Sequence, residues 1–219
     1  MIHLFHRRIT FSLALTIGFL IMILIGSILL SLPFADKAGK ATAYSDALFT
    51  ATSAVCVTGL STVTTATHWS FFGQLVIMIL VEVGGLGFMT FAVMLSNVAH
   101  HRMSLGARML TGEALNLNHL SQFRVVRLII RLSLVIQLIG AGLLFIALEP
   151  KLGLGKGIWY SLFHSVAAYC NAGFDLFGPS LEQLNNNPYV LTVIMFLIGA
   201  GSFGFLVWRD LLTYHIRHK

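Results

Sequence analysis

The chain has 219 residues, of which 57% are hydrophobic and 10% are charged, and its mean hydropathy is +0.85. This composition excludes an ordinary soluble domain, in which roughly a quarter of the residues are charged, and it excludes intrinsic disorder. Two cysteines are too few for a disulfide framework. The net charge of +6 does not indicate nucleic acid as a partner, because the basic residues flank apolar stretches, where they orient membrane helices. The composition predicts an all-α integral membrane protein.

Four apolar stretches are long enough to cross the hydrocarbon core of a bilayer, which takes about 20 helical residues. They are residues 9–32, 71–98, 128–148 and 190–208. The first is longer than the apolar core of a signal peptide, and no small-residue cleavage site directly follows it, so we expect it to remain as a span. The sequence therefore predicts a multi-pass protein that contacts membrane lipid.

The orientation of these spans follows from their flanking charges. Of the 14 Lys and Arg residues, 10 fall on one side of the predicted spans and four on the other. The positive-inside rule then places both termini in the cytoplasm and the protein in the cytoplasmic membrane. Five of the eight acidic residues fall on the outer side, where they favour cations. The basic, amphipathic connector at residues 100–122 suits either the lipid headgroups or a cytosolic partner.

An internal repeat relates the two halves of the chain. An apolar segment of about a dozen residues, too short to cross a bilayer, lies between the first two spans and again between the last two. An offset of 114 residues aligns these segments without gaps and places Gly59 on Gly173, and an offset of 117 aligns the spans that follow. We predict two parallel repeats of span, re-entrant half-helix and span, at residues 1–114 and 115–219.

The residues after each half-helix, 56–60 and 170–174, are candidates for a pore lining. Irregular backbone at membrane depth must be buried in protein or line a watery cavity. A glycine with positive φ lets carbonyl groups turn toward one axis and replace the hydration shell of a cation. The alternative is a tight turn between buried helices, but matched glycines in both repeats favour the pore.

Three motifs carry a resemblance to a known family: TSAVCVTGLS at residues 52–61, GGLGFMTF at 84–91 and HSVAAYCNAGFDLF at 164–177. With these motifs the sequence resembles the Ktr/Trk potassium-uptake family, whose membrane subunit carries four span–pore–span repeats in one chain. The GGLGFMTF stretch and the short amino terminus are most similar to the sodium-linked, KtrB-type branch.

The resemblance implies potassium uptake through a carbonyl-lined selectivity filter, with K⁺ and, in the sodium-linked branch, Na⁺ as transported ions and with no cofactor. It also implies a cytosolic nucleotide-binding regulatory subunit on a separate chain. Carried over by position, it implies two filter walls, formed by Val57, Thr58 and Gly59 and by Asn171, Ala172 and Gly173.

The family's pore needs four walls, and this sequence contains two. Either the sequence is the amino-terminal half of a longer protein, which we favour, or two copies pair into a homodimeric two-repeat cation channel. The missing walls therefore come either from further carboxy-terminal repeats or from a second copy of the chain. We also expect the protein to be a homodimer.

Two acidic residues are further candidates. Glu82 lies near the middle of the second span, where an ionisable group lines an ion path or packs as a neutral hydrogen-bonded carboxyl. Asp175 follows the second candidate lining and either concentrates cations at its outer mouth or is a surface-loop acid. A polytopic membrane enzyme that uses Glu82 and the histidines is the alternative function. The sequence offers it no nucleophile–base pairing and no metal motif, so we expect no enzyme activity.

The remaining small residues are predicted to pack rather than react. Cys56 and Cys170 occupy the same position of the repeat, and we expect no disulfide between them. Four glycines have the spacing of close helix contacts: Gly84, Gly87, Gly201 and Gly204.

Overall fold

A computed structural model describes residues 11–101, 119–178 and 187–203 of the chain. The first element, α1 (Phe11–Ser31), has 21 residues. At about 1.5 Å per residue it is about as long as a bilayer's hydrocarbon core is thick. A 3₁₀ turn at Pro33–Ala35 follows, where the proline ring suits the first helical position.

Five more helices follow within the described ranges. They are α2 (Tyr44–Val55), α3 (Thr65–His68), α4 (Phe71–His101), α5 (His119–Tyr169) and α6 (Pro188–Ser202). The 51-residue α5 contains Pro150 and a non-helical Gly153 with φ 73° and ψ 169°, so it consists of two helical stretches that meet at a kink. The described ranges contain no strand, only one isolated bridge between Asp36 and Trp69.

The helices agree with the predicted spans where both are described. α4 begins at the residue where the second span was predicted to begin, and the third predicted span lies inside α5. Within the described residues, Arg127–Tyr169 is long and apolar enough to cross a membrane, while Thr16–Ser31, Phe71–Gly87 and Pro188–Ser202 are shorter apolar helices. Outside the described residues lie both termini, most of the connector at residues 100–122, the predicted repeat boundary at residues 114–115 and the end of the fourth predicted span.

One hydrophobic core joins the two halves of the chain. α1 packs on α2 and α4, α5 packs on α6, and α4 packs on α5. The larger buried cluster therefore draws on both halves, and it includes Leu30, Ala51, Ile77, Phe163 and Leu176. A smaller cluster between α5 and α6 includes Leu144, Leu148, Val190 and Leu197.

The helix contacts recur along the chain. A Cβ on Gly26 would lie 2.6 Å from a methyl of Leu80 and 3.4 Å from Cβ of Ala51. A Cβ on Gly140 would lie 2.5 Å from a methyl of Leu197 and 2.8 Å from Oγ of Ser165. Gly140 and Ser165 follow Gly26 and Ala51 by 114 residues. Leu197 follows Leu80 by 117 residues, so both offsets found in the sequence recur in the contacts.

A buried glutamine ties the two halves of the chain together. Gln74, near the start of α4, donates from Nε2 to the carbonyl oxygen of Trp69 at 3.1 Å. Its Oε1 accepts a hydrogen bond from Nε1 of Trp159 at 2.7 Å. Trp159 lies in the part of α5 that follows the kink, so this pair fixes that part of α5 against the start of α4.

Candidate cation site between two loop segments

α2 and α5 end in the same way, in loops that we call the first loop segment (residues 56–60) and the second loop segment (residues 170–174). In the first, the Val57 N–H donates to the Ala54 carbonyl at 3.2 Å, and the Thr58 N–H donates to the Ser53 carbonyl at 2.9 Å. These two bonds form a Schellman motif, which satisfies carbonyls that a helix end leaves unpaired.

The second loop segment repeats this pattern 114 residues later. The Asn171 N–H donates to the Ala168 carbonyl at 3.1 Å, and the Ala172 N–H donates to the Ala167 carbonyl at 2.8 Å. Both loops thus leave their helices with the same geometry.

The backbone turns left-handed at alternate positions in both segments. The φ angles are 56° at Val57 and 76° at Gly59, and 58° at Asn171 and 71° at Gly173. Glycine adopts this conformation freely and asparagine tolerates it, but a β-branched valine there is uncommon. The first loop segment therefore holds a strained residue at a position where the second does not.

Gly59 and Gly173 bring the two segments into contact. A Cβ on Gly59 would lie 2.6 Å from the carbonyl oxygen of Ala172 and 3.0 Å from Cα of Gly173. A Cβ on Gly173 would lie 3.2 Å from Cα of Gly59. The two backbones approach so closely that only glycine fits between them without displacement.

The two glycines also line one cleft of about 500 Å³. Its lining is mostly polar and includes four residues with hydroxyl side chains and the acidic residue Asp175. Oxygen-rich surroundings of this kind suit hard cations rather than anions. The hydroxyl residues of the wall are Ser61, Thr62, Thr64 and Thr65.

Asp175 orders its own loop beside this cleft. Its Oδ1 accepts hydrogen bonds from the backbone N–H groups of Phe177 at 2.8 Å and Gly178 at 2.9 Å. The carboxylate is partly buried and lines the cleft together with Gly173. It therefore shapes the loop at residues 175–178 and adds negative charge to the cleft.

Other candidate residues direct their side chains toward helices. The Thr58 hydroxyl donates to Oγ of Ser53 at 2.8 Å. The Asn171 amide donates to Oγ of Ser202 at 3.0 Å. Of the two loop segments, Gly59, Gly173 and Phe174 line the cleft.

His164 supports the second loop segment and was not singled out by the sequence beyond its motif. It is buried, with Nδ1 2.7 Å from the Tyr160 carbonyl and Nε2 3.2 Å from the Leu176 backbone nitrogen. A carbonyl only accepts and an N–H only donates, so Nδ1 carries the proton and the imidazole is neutral. The ring ties α5 to the chain that follows the second loop segment.

Glu82 lies outside the cleft, behind the second loop segment. Its Oε2 accepts a hydrogen bond from Nε2 of Gln137 at 2.8 Å and lies 3.5 Å from Sγ of Cys170. The structure thus brings Gly59, Gly173 and Asp175 to one cleft and places Glu82 elsewhere. Cys56 and Cys170 are both free.

The predicted packing role of Gly84 and Gly201 is confirmed. A Cβ on Gly84 would overlap the carbonyl oxygen of Val55, and a Cβ on Gly201 would overlap that of Tyr169. Gly84 thus lets α4 lie directly against the end of α2, and Gly201 lets α6 lie directly against the end of α5. Gly87 has looser surroundings, since a Cβ there would lie 3.7 Å from the Phe19 ring. Gly204 lies outside the described residues.

The chain is similar in sequence to known cation transport proteins. A family model described as "TrkH: Cation transport protein" matches residues 8–219. The chain is similar to "Potassium/sodium uptake protein NtpJ" of Enterococcus hirae, with 49% identity over 90% of this chain and 44% of the relative. It is also similar to "Ktr system potassium uptake protein B" of Bacillus subtilis, with 43% identity over 94% of this chain and 46% of the relative.

A third relative, "Ktr system potassium uptake protein B" of Vibrio alginolyticus, is 38% identical over 89% of this chain and 42% of its own length. The chain thus spans less than half the length of these curated relatives. Their names describe transporters rather than enzymes, and they agree with the resemblance found in the three motifs. The chain belongs to the TrkH family of cation transport proteins, which are membrane proteins.

Proposed function

We propose that the protein takes up potassium ions across the cytoplasmic membrane through a selectivity filter lined by backbone carbonyls. The two loop segments supply two walls of this filter. The first wall is Val57, Thr58 and Gly59, and the second is Asn171, Ala172 and Gly173.

The alternating left-handed φ angles of the two loop segments carry this proposal. In an extended chain, successive residues face opposite sides. Reversing φ at every second residue, as at Val57 and Gly59, brings successive carbonyls toward one side. A ring of carbonyl oxygens on one side replaces the hydration shell of a dehydrated cation. The same reversal at Asn171 and Gly173 fits a second wall that faces the same ion path.

The fold around these segments supports the same function. The ends of α2 and α5 carry matching hydrogen bonds 114 residues apart, as expected if the span–half-helix–span unit occurs twice. Each half-helix directs its carboxy-terminal, partly negative end toward its loop segment, which favours a cation there. Asp175 adds a negative charge to the cleft outside the two glycines.

The transported ion is K⁺, and we propose that uptake is linked to Na⁺. The names of the relatives support both ions, since one is called a potassium/sodium uptake protein and two are called potassium uptake proteins. The role of backbone carbonyls in binding means that no cofactor is needed for this step.

Two walls surround at most about half of a four-sided ring. We propose that two further walls complete the filter, from additional repeats or from a second copy of the chain, and that the assembled protein is a homodimer. A nucleotide-binding regulatory subunit on the cytoplasmic side is the proposed further partner, and the word "system" in the relatives' names supports the presence of other components.

The proposed topology has both termini in the cytoplasm, with the cleft on the outer side. A cysteine introduced at Ala38, an exposed residue, should react with an impermeant thiol reagent in intact cells in a background without Cys56 and Cys170. A cysteine at Ser104 should react only after the cells are permeabilised. The reverse pattern would contradict an outward-facing cleft.

Ion competition tests the filter directly. Gly59→Ala and Gly173→Ala should each weaken discrimination of K⁺ against Na⁺ in a host that lacks other potassium uptake, because alanine disfavours the required φ. Gly142→Ala is the matched control, because a Cβ there meets no described atom within 4 Å. Normal competition in both loop variants at normal membrane levels would refute the filter.

A further inference from the structure

A buried polar network stands behind the second loop segment, and the positions of the first half that correspond to its members hold apolar residues. Its members on α5 are Ser133, Gln137 and Ser165, each at most 2% exposed. The Ser165 hydroxyl donates to the Gln137 carbonyl at 2.6 Å, and Ser133 Oγ lies 3.1 Å from the Tyr169 hydroxyl. Tyr169 directly precedes Cys170, so the network extends to the base of the loop segment.

The corresponding residues of the first half are apolar. At the offset of 114 that relates the helix contacts and the loop hydrogen bonds, the four polar residues of the second half match Phe19, Ile23, Ala51 and Val55. The two halves therefore have matching backbone hydrogen bonds, but the helix before the loop segment packs against polar residues in the second half and against apolar residues in the first. When all members of a buried polar network are hydrogen-bonded, the network favours one arrangement of the helices that carry it.

Glu82 completes this network from α4, in the other half of the chain. Its Oε2 accepts from Gln137 at 2.8 Å and lies 3.5 Å from Cys170 Sγ, while its Oε1 is buried with no hydrogen-bond partner among the described residues. A cavity of about 230 Å³ adjoins the Glu82–Gln137 pair, and all its other lining side chains are apolar. Hydrogen bonds in such surroundings are strong, and losing them is costly.

Glu82 is also an exception within the repeat. The offset of 117 that aligns α4 with α6 places Gly199 at the equivalent position, where a Cβ would meet no described atom within 4 Å. Next to Glu82 in space, a Cβ on Gly85 would lie 2.9 Å from Sγ of Cys170, so α4 already lies against this thiol. The carboxyl group adds a directional contact to that packing.

We propose that Glu82 is a positioning residue for the second loop segment: its carboxyl group, held by Gln137, fixes Cys170 and with it the rest of that segment. Resting on the proposed function, this makes Glu82 a determinant of ion discrimination that never touches the ion. The Oε2 atom of Glu82 accepts from the thiol of Cys170, which directly precedes Asn171. A small displacement of Cys170 would therefore move the backbone of the second loop segment, including Gly173 at the cleft.

The test uses ion competition by the intact protein in cells, with membrane levels measured for each variant. Glu82→Leu and Cys170→Ala should each reduce discrimination of K⁺ against Na⁺ by about 3- to 10-fold, a size typical of coupled neighbours. The double variant should resemble Glu82→Leu to within about two-fold, because Glu82→Leu already breaks the Glu82–Cys170 contact that Cys170→Ala removes. Cys170→Ala removes only the sulfur, so it tests the proposal even where Glu82→Leu lowers the membrane level.

Conservative variants separate positioning from general packing. Glu82→Gln keeps an acceptor oxygen and Cys170→Ser keeps a donor, so both should discriminate between the ions within about two-fold of the unmodified protein. Gly199→Ala is the control at the equivalent position of α6 and should behave as the unmodified protein does.

Three results would overturn the proposal: unchanged discrimination in Glu82→Leu or Cys170→Ala at normal membrane levels, a double variant whose effect is the product of the single effects, or conservative variants as impaired as the disruptive ones. Failure here is distinguishable from failure of the filter itself. If Gly59→Ala alters discrimination and these variants do not, only the role of Glu82 is wrong.

Discussion

Gly59 and Gly173, which are 114 residues apart in the chain, contact each other through their backbones, and a Cβ on Gly59 would lie 3.0 Å from Cα of Gly173. The contact is not symmetric. The same Cβ would lie 2.6 Å from the Ala172 carbonyl oxygen, whereas the nearest atom to a Cβ on Gly173 is 3.2 Å away. The two positions therefore tolerate substitution unequally.

We expect Gly59→Ala to impair uptake more than Gly173→Ala. Both changes force alanine into a left-handed conformation, which costs about 1–2 kcal/mol. Only the first also drives a methyl group into a backbone carbonyl. The measurement is the KM for K⁺ uptake at equal membrane levels, and a larger effect at Gly173 would contradict the contact as described.

Asn171→Val should destabilise the protein. Valine at φ 58° costs about 1–2 kcal/mol in backbone strain, and the change also removes the hydrogen bond to Ser202, which contributes about 1 kcal/mol. Thermal unfolding in detergent measures the total effect. Ser202→Ala removes the hydrogen bond alone and should show the smaller loss of stability. Equal losses in the two variants would show that the left-handed backbone at Asn171 is not strained by valine.

His164→Leu should also lower stability, because it leaves the Leu176 N–H buried without its acceptor. Such an unpaired group costs about 1–3 kcal/mol. The second loop segment and the loop at residues 175–178 should loosen together, so the K⁺ affinity should fall as well. Hydrogen exchange at the backbone of residues 174–178 measures the loosening, and unchanged exchange there would refute the role of the imidazole.

Gly84→Ala and Gly201→Ala should each reduce the amount of folded protein in the membrane, because their methyl groups would overlap the Val55 and Tyr169 carbonyls. Rigid backbone cannot move aside as a flexible side chain can. Gly199→Ala, in open surroundings on α6, is the control and should fold normally. Normal yields of both variants would show that α4 does not lie against the end of α2, and α6 against the end of α5, as closely as these distances indicate.

The sequence predicted the order of elements well, because apolar stretches and paired glycines are read directly from residue types. The start of α4, the end of the half-helix at Val55, and the packing of Gly84 and Gly201 follow from such patterns. The matched glycines predicted positive φ at Gly59 and Gly173, because glycine adopts this conformation more readily than other residues do.

Contacts between distant residues could not be predicted in the same way. Gln137, Ser165 and His164 carry no local pattern, since a lone polar residue in an apolar helix has many potential partners. Their roles follow only from the packing of α4 against α5, which brings Glu82 to Gln137. At the offset of 114, Gln137, Ser165 and His164 align with Ile23, Ala51 and Thr50. This difference between the two halves is the signal in the sequence that marks these three residues as candidates.

The number of filter walls gives a separate prediction. The 219 residues alone should not conduct as a monomer, because two loop segments leave about half of a four-sided ring open. The oligomeric state in detergent and K⁺ flux after reconstitution test this together. Flux from a strictly monomeric species would contradict the requirement for four walls, whereas K⁺-selective flux from a dimer would identify the second copy as the source of the other two.

The central claim is that backbone carbonyls of the two loop segments bind the transported ion, and the position of a bound ion tests it most directly. Thallium(I) resembles K⁺ in size and scatters anomalously, so diffraction from crystals of the intact protein soaked in thallium locates the site. We predict an anomalous peak about 3 Å from carbonyl oxygens of both loop segments, beside Gly59 and Gly173. A protein that transports thallium but shows its peak elsewhere, for example at Glu82, would contradict the account.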